Sequence, residues 1–80
     1  MAKNRKVGVS ARAVVARINR KLKPDLEALK ISRSERMRLD VGRYFIIDYR
    51  LNAIQRHNVE PKALGRELGV LKEWEEVRYE

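Results

Sequence analysis

The chemistry this chain offers most plainly is that of fixed positive charge. Its first quarter, residues 1–23, carries Lys3, Arg5, Lys6, Arg12, Arg17, Arg20, Lys21 and Lys23 without one Asp or Glu. Residues 24–59 hold seven basic and five acidic side chains, and residues 60–80 hold four basic and six acidic. The whole formal excess of +8 therefore sits at one end of an 80-residue chain. Cations gathered this way raise the local potential and attract a polyanion, which the same charges evenly mixed with acids would not do. A phosphate backbone asks of its partner only cations of sufficient reach, since each neutralised phosphate releases condensed counterions. A second set, Arg33, Arg36 and Arg38, falls in a polar stretch where guanidinium groups can grip phosphate or carboxylate with two hydrogen bonds. Glu35 and Asp40 stand beside them and offer neutralisation as the competing role.

Other chemistries are poorly supplied. His57 is the single histidine and there is no cysteine, so no Cys–His pair, thiolate metal site or disulfide can form. Asp40 and Asp48 stand at no spacing that general acid–base work requires. Gly8, Gly42, Gly65 and Gly69 are too scattered to cradle a phosphate. Tyr44, Phe45 and Tyr49 have two roles open to them, stacking on bases or filling the core of a small sheet. The expectation is a non-enzymatic binding protein with no catalytic residue, no metal, no cofactor and no small-molecule substrate. Its expected partner is DNA or RNA, or a protein complex that contains nucleic acid.

The elements that would position these cations follow from periodicity. Ser10 is a good N-cap, and Ala11, Val14, Val15, Ile18 and Leu22 share one face of the helix that follows. Arg12, Arg17, Arg20, Lys21 and Lys23 occupy the remaining arc, and Pro24 stops the helix. Leu26 to Ser32 reads as a short strand, although Leu26 to Lys30 would equally continue a helix. Ser32 to Gly42 reads as a polar loop. Arg43 to Asp48 is a β-branched and aromatic strand, Tyr49 to Asn52 a turn in which Asn52 tolerates positive φ, and Ala53 to Val59 the return strand. Pro61 suits the first turn of a second helix with Leu64 and Leu68 as its apolar stripe and Gly69 past its end. Val70, Leu71 and Trp74 are expected to fold back onto the core.

These elements compose an α+β fold. It is a single small domain of order α-β-β-β-α, with a three-stranded antiparallel sheet and two helices. Residues 1–9 are expected to be a basic flexible arm, residues 10–74 the domain and residues 75–80 an acidic tail. A chain of this size closes only about 60% of its unfolded surface, which leaves little room for a deep cleft. No apolar run approaches the roughly 18 residues of a membrane span, and no apolar signal stretch follows the basic N-terminus. The expected compartment is the cytoplasm, and no membrane partner is expected.

Residues 60–70 resemble the first helix and turn of a helix-turn-helix in their Ala-Leu-x-x-x-Leu-Gly-Val pattern. The recognition helix that should follow is replaced by Leu71 to Glu80 with four glutamates, which repel a DNA backbone. The element order is also that of the double-stranded RNA-binding domain, but Pro61 to Arg66 holds only two of the cations that family places there. A third likeness covers residues 39–75. Leu39 to Asp48, Leu51 to Ile54, His57 to Val59 and Ala63 to Glu75 resemble short uncharacterised accessory proteins of bacterial phages and plasmids. That resemblance implies a tiny regulator or an anti-CRISPR-type inhibitor of host defence, without catalytic residues. Because no partner for His57 is visible, His57→Ala is expected to leave biological activity intact; complete loss in a folded variant would contradict the non-enzymatic reading.

Overall fold

In the computed structural model, which describes residues 6–79, Val7–Ser10 form a strand, β1, and the chain passes directly into helix α1, Ala11–Leu22. The Ser10 hydroxyl oxygen accepts the Ala13 backbone N–H at 3.1 Å, so the cap read from the sequence is the one used. Val14, Ile18 and Leu22 are buried along one side. Pro24 tightens the end of α1 into a single 3-10 turn, Lys23–Asp25, and Leu26 at φ 59 reverses the chain into strand β2, Glu27–Ile31. The strand alternative for this stretch, rather than continued helix, is the one realised.

The polar stretch after β2 is not a loop throughout. Glu35–Val41 form helix α2, with the Ser34 hydroxyl oxygen accepting the Met37 N–H at 3.1 Å. Its charged residues hid a short helical pattern, Met37 and Val41 one turn apart. Gly42 ends α2 at φ 86, and a Cβ there would press on the backbone of Asn58. Strand β3, Tyr44–Asp48, pairs antiparallel with β2, Leu29 opposite Ile46. The hairpin turn is closed by Asp48, whose carboxylate accepts the Arg50 N–H at 2.9 Å, and Asn52 sits at φ 53 as anticipated. The return strand β4 is shorter than expected, Ala53–Arg56, and its register with β3 slips between Ile46 and Ile47. The chain then bends at Asn58, φ 50, and rejoins β3 where the Val59 N–H donates to the Tyr44 carbonyl at 2.9 Å. Helix α3, Pro61–Glu67, begins on its proline.

The largest departure is at the two ends of the chain. Residues 75–80 were expected as an acidic tail and residues 1–9 as an arm, yet Glu75–Arg78 form strand β5 and pair in parallel with β1, Val9 opposite Val77. One inward valine per strand suffices once the strands meet, because Val9 and Val77 both enter the core while the charged neighbours stay outside. The fold is α+β, an antiparallel sheet of order β2-β3-β4 beside the β1-β5 pair, with three α-helices among the described residues.

A single cluster joins Val9, Val14, Ile18, Leu22, Leu29, Tyr44, Ile46, Val59, Leu64, Leu71 and Val77, with Leu68 and Val70 packed against it. Thus α1 and α3 share the sheet face that carries Tyr44 and Ile46. Phe45 and Val41 are buried outside this cluster, on the side where α2 packs on β3. Trp74 does not fold inward as expected; it is 58% exposed. A tight turn causes this, with the Glu75 N–H donating to the Lys72 carbonyl at 3.0 Å, so the chain between Leu71 and Val77 loops outward. Ile18, fully buried between these layers, is the sharpest test of the arrangement: Ile18→Ala is expected to cost about 2–5 kcal/mol in a denaturant titration.

Candidate nucleic-acid interface

The sequence-predicted cations occupy four different settings. Lys3 and Arg5 lie outside the described residues. Lys6 is exposed and its ammonium donates to the Glu73 carbonyl at 3.2 Å, tying the start of β1 to the turn before β5. Arg17 is engaged inside the fold: its guanidinium donates to the Glu75 carboxylate at 3.0 Å and to the Val70 carbonyl at 3.1 Å. It therefore clamps α1 to β5 rather than standing in solvent. Arg12, Arg20, Lys21 and Lys23 are exposed, and among the described residues none of them forms an ion pair.

Helix geometry sorts these four further. At about 100° per residue, Arg12, Ala16, Arg20 and Lys23 fall within roughly 80° of one another, opposite the buried stripe. From Arg12 to Lys23 this track runs about 16 Å. Ala16, also exposed, leaves the middle of the track open. Lys21 lies to one side, beside Arg17 and Val70 in a shallow depression. No acidic residue occupies the first turn of α1, so nothing offsets the positive end of the helix dipole.

The track leads into an open groove of about 710 Å3 between α1, β2, the start of β3 and the end of β5. Its lining includes four cationic residues, Arg12, Lys30, Arg43 and Arg78, and no Asp or Glu. Lys30, Arg43 and Arg78 were not singled out from the sequence. Each is an isolated cation, Lys30 on β2, Arg43 just before β3 and Arg78 on β5, and only the folding of those segments beside α1 gathers them. Two local features hold them in place. A Cβ at Gly8 would collide with the Arg78 guanidinium, so the missing side chain lets Arg78 lie across β1. The Arg43 guanidinium sits over the Tyr44 ring, 6.0 Å from its centroid.

Arg33, Arg36 and Arg38 are exposed on and before α2, and none of them lines the groove. Tyr44 and Phe45 are buried, which makes them core aromatics, whereas Tyr49 is 53% exposed at the hairpin. Asp48, 3% exposed, accepts turn N–H groups and pairs with Arg50 at 3.7 Å. His57 is exposed in the bend after β4. Among the described residues no helix is long and apolar enough to cross a membrane, and no group of three His, Asp or Glu could hold a metal ion. No protein-family model, curated protein or solved structure matches the chain.

The clamp has a pH signature. Glu75 accepts the Lys72 N–H and then the Arg17 guanidinium, and both hold its carboxyl below the usual value of 4.5. A carboxylate favoured by folding adds stability above its ordinary pKa and loses it as pH falls through the lowered one. Glu75→Gln keeps an oxygen for the Lys72 N–H but removes the charge. Its denaturation midpoint is expected to lie below the parent's at neutral pH, and the two to converge in acid; a gap that persists unchanged at low pH would assign Glu75 a purely steric role.

Proposed function

We propose that the protein is a non-enzymatic binding module that contacts nucleic acid through the outward face of α1. One observation carries this reading: Arg12, Arg20 and Lys23 share one exposed stripe, make no ion pair among the described residues, and continue into a groove whose lining includes four cationic residues and no Asp or Glu. Solvated helix faces kept for solubility usually mix both signs in i, i+4 pairs. A stripe of one sign costs folding some self-repulsion, and a polyanion removes that cost.

A second reading draws on the opposite end of the sheet. Leu26, Tyr49 and Leu51 are 51%, 53% and 74% exposed there, with the Tyr49 N–H donating to the Leu26 carbonyl at 2.9 Å. Apolar side chains exposed together suit a protein partner. In that reading the protein is an anti-CRISPR-type inhibitor that docks on a host surveillance complex while its basic face meets guide-RNA backbone. Capture of host partners with and without nuclease separates the two, since only contact through nucleic acid alone is abolished by digestion.

The replacement of Arg12, Arg20 and Lys23 by glutamine tests the first reading without touching the Arg17 clamp. Duplex affinity is expected to fall, and the slope of log K against log salt to flatten by up to about 2.7 if all three reach phosphate. Thermal stability should hardly change. Unchanged affinity and slope in the folded variant would remove α1 as the contact surface.

A further inference from the structure

The groove beside α1 differs in chemistry from the track that leads to it. The track is cationic on bare helix, whereas the groove lining is mixed, with apolar Val15 and the exposed Ile31 beside the nearly buried Leu29 and Tyr44, together with the four cationic residues Arg12, Lys30, Arg43 and Arg78. A duplex backbone, polar and convex, has no use for the apolar part of such a lining. An unpaired nucleotide uses both parts, a base laid on the apolar surface and phosphates drawn to the cations. We propose that this groove seats unpaired bases of single-stranded DNA, which makes a single strand the preferred form of the nucleic acid bound by α1.

Three further observations select this occupant. The first concerns a rival, an extended acidic peptide added to the outer edge of β2. The Ser32 N–H bonds to the Arg43 carbonyl and the Tyr49 N–H to the Leu26 carbonyl, so the backbone groups of the even-numbered residues of this stretch point to β3 and those of Leu29 and Ile31 point to the free edge. Asn19 on α1 already occupies Leu29, accepting its N–H at 2.6 Å and donating to its carbonyl at 3.3 Å. Strand addition needs alternate residues of a free edge, and here that run is interrupted. The second is Arg43. One side of its guanidinium faces the Tyr44 ring, and Arg43 is exposed, which leaves a cationic plane on which a base can stack. The third concerns the sugar. Apart from its cations, the groove offers Ser10 as an aliphatic hydroxyl, and that oxygen already accepts the Ala13 N–H. The proton of an RNA 2′-hydroxyl would find no carboxylate or amide side chain in this lining to accept it.

This inference rests on the nucleic-acid reading, and one experiment keeps the two apart. The full-length protein is titrated by fluorescence anisotropy against oligothymidylate of about 12 nucleotides, oligouridylate of equal length, a blunt duplex and polyglutamate. A groove variant, Ile31→Glu with Arg43→Gln, is compared with a track variant, Arg20→Gln with Lys23→Gln. All four positions are exposed, and Arg43→Gln alone serves if the double variant fails to fold by circular dichroism. The parent is expected to bind the DNA single strand more tightly than the duplex, the RNA or the polyglutamate. The groove variant is expected to lose about tenfold in single-strand affinity, the contribution of roughly one stacked base, with little change on duplex. The track variant should weaken both. Duplex binding equal to or tighter than single-strand binding overturns the groove assignment while leaving the α1 reading intact. Preference for RNA or polyglutamate overturns it as well, and binding to none of the three nucleic acids overturns both readings.

Discussion

Everything in this small protein leans on the burial of one face of α1. Val14 and Ile18 reach zero exposure and Leu22 nearly so, and β2, α3, β1 and β5 all pack against the helix that carries them. A chain of this size has no second core to fall back on. With three apolar positions committed inward, the helix has one rotation available, and that rotation sends Arg12, Ala16, Arg20 and Lys23 outward together. The basic face is thus a consequence of packing: apolar burial fixes the angle, and charge follows.

Two polar contacts then make that placement specific. Asn19 bridges α1 to the backbone of Leu29, which aligns the helix with the outer edge of β2 and closes part of an edge that would otherwise invite another strand. Arg17 reaches the other way, to Glu75 and to the Val70 carbonyl. Between these anchors the helix can neither roll nor slide freely, and the groove acquires fixed walls. The parallel β1-β5 pair completes it by bringing Arg78 from the far end of the sequence to the side of Arg12. One acidic charge of the C-terminal stretch is drawn into this scaffold, the Glu75 carboxylate on Arg17, while Lys6 ties down the same stretch through the Glu73 backbone carbonyl.

Local interactions made much of this legible in the sequence. Ser10 as cap, the Val14–Ile18–Leu22 stripe, the stop at Pro24, the β3 strand, the positive φ of Asn52 and the start of α3 at Pro61 each depend on neighbours within a few residues, and the structure has them all. Short-range sterics and hydrogen bonding decide such features wherever the segment sits. Helix α2 follows the same local rules, through Ser34, Met37 and Val41, but a segment so rich in arginine has the composition of a polar loop as well.

What only the tertiary structure decided was the meeting of distant segments. No property of Val7–Ser10 alone marks it as a strand; it becomes one because Glu75–Arg78 lies beside it and both can bury a valine. Arg17 reads in sequence like its neighbours Arg20 and Lys21, and only the approach of Glu75 turns it into a clamp. Lys30, Arg43 and Arg78 carry no joint signal, since a groove is a relation in space among β2, the approach to β3, β5 and α1. By itself the sequence determined which faces are apolar and where charge is concentrated, because those are properties of composition and period. Which cations stand together in solvent and which are bound was decided by long-range packing, because contact between residues so far apart along the chain exists only once the core has closed.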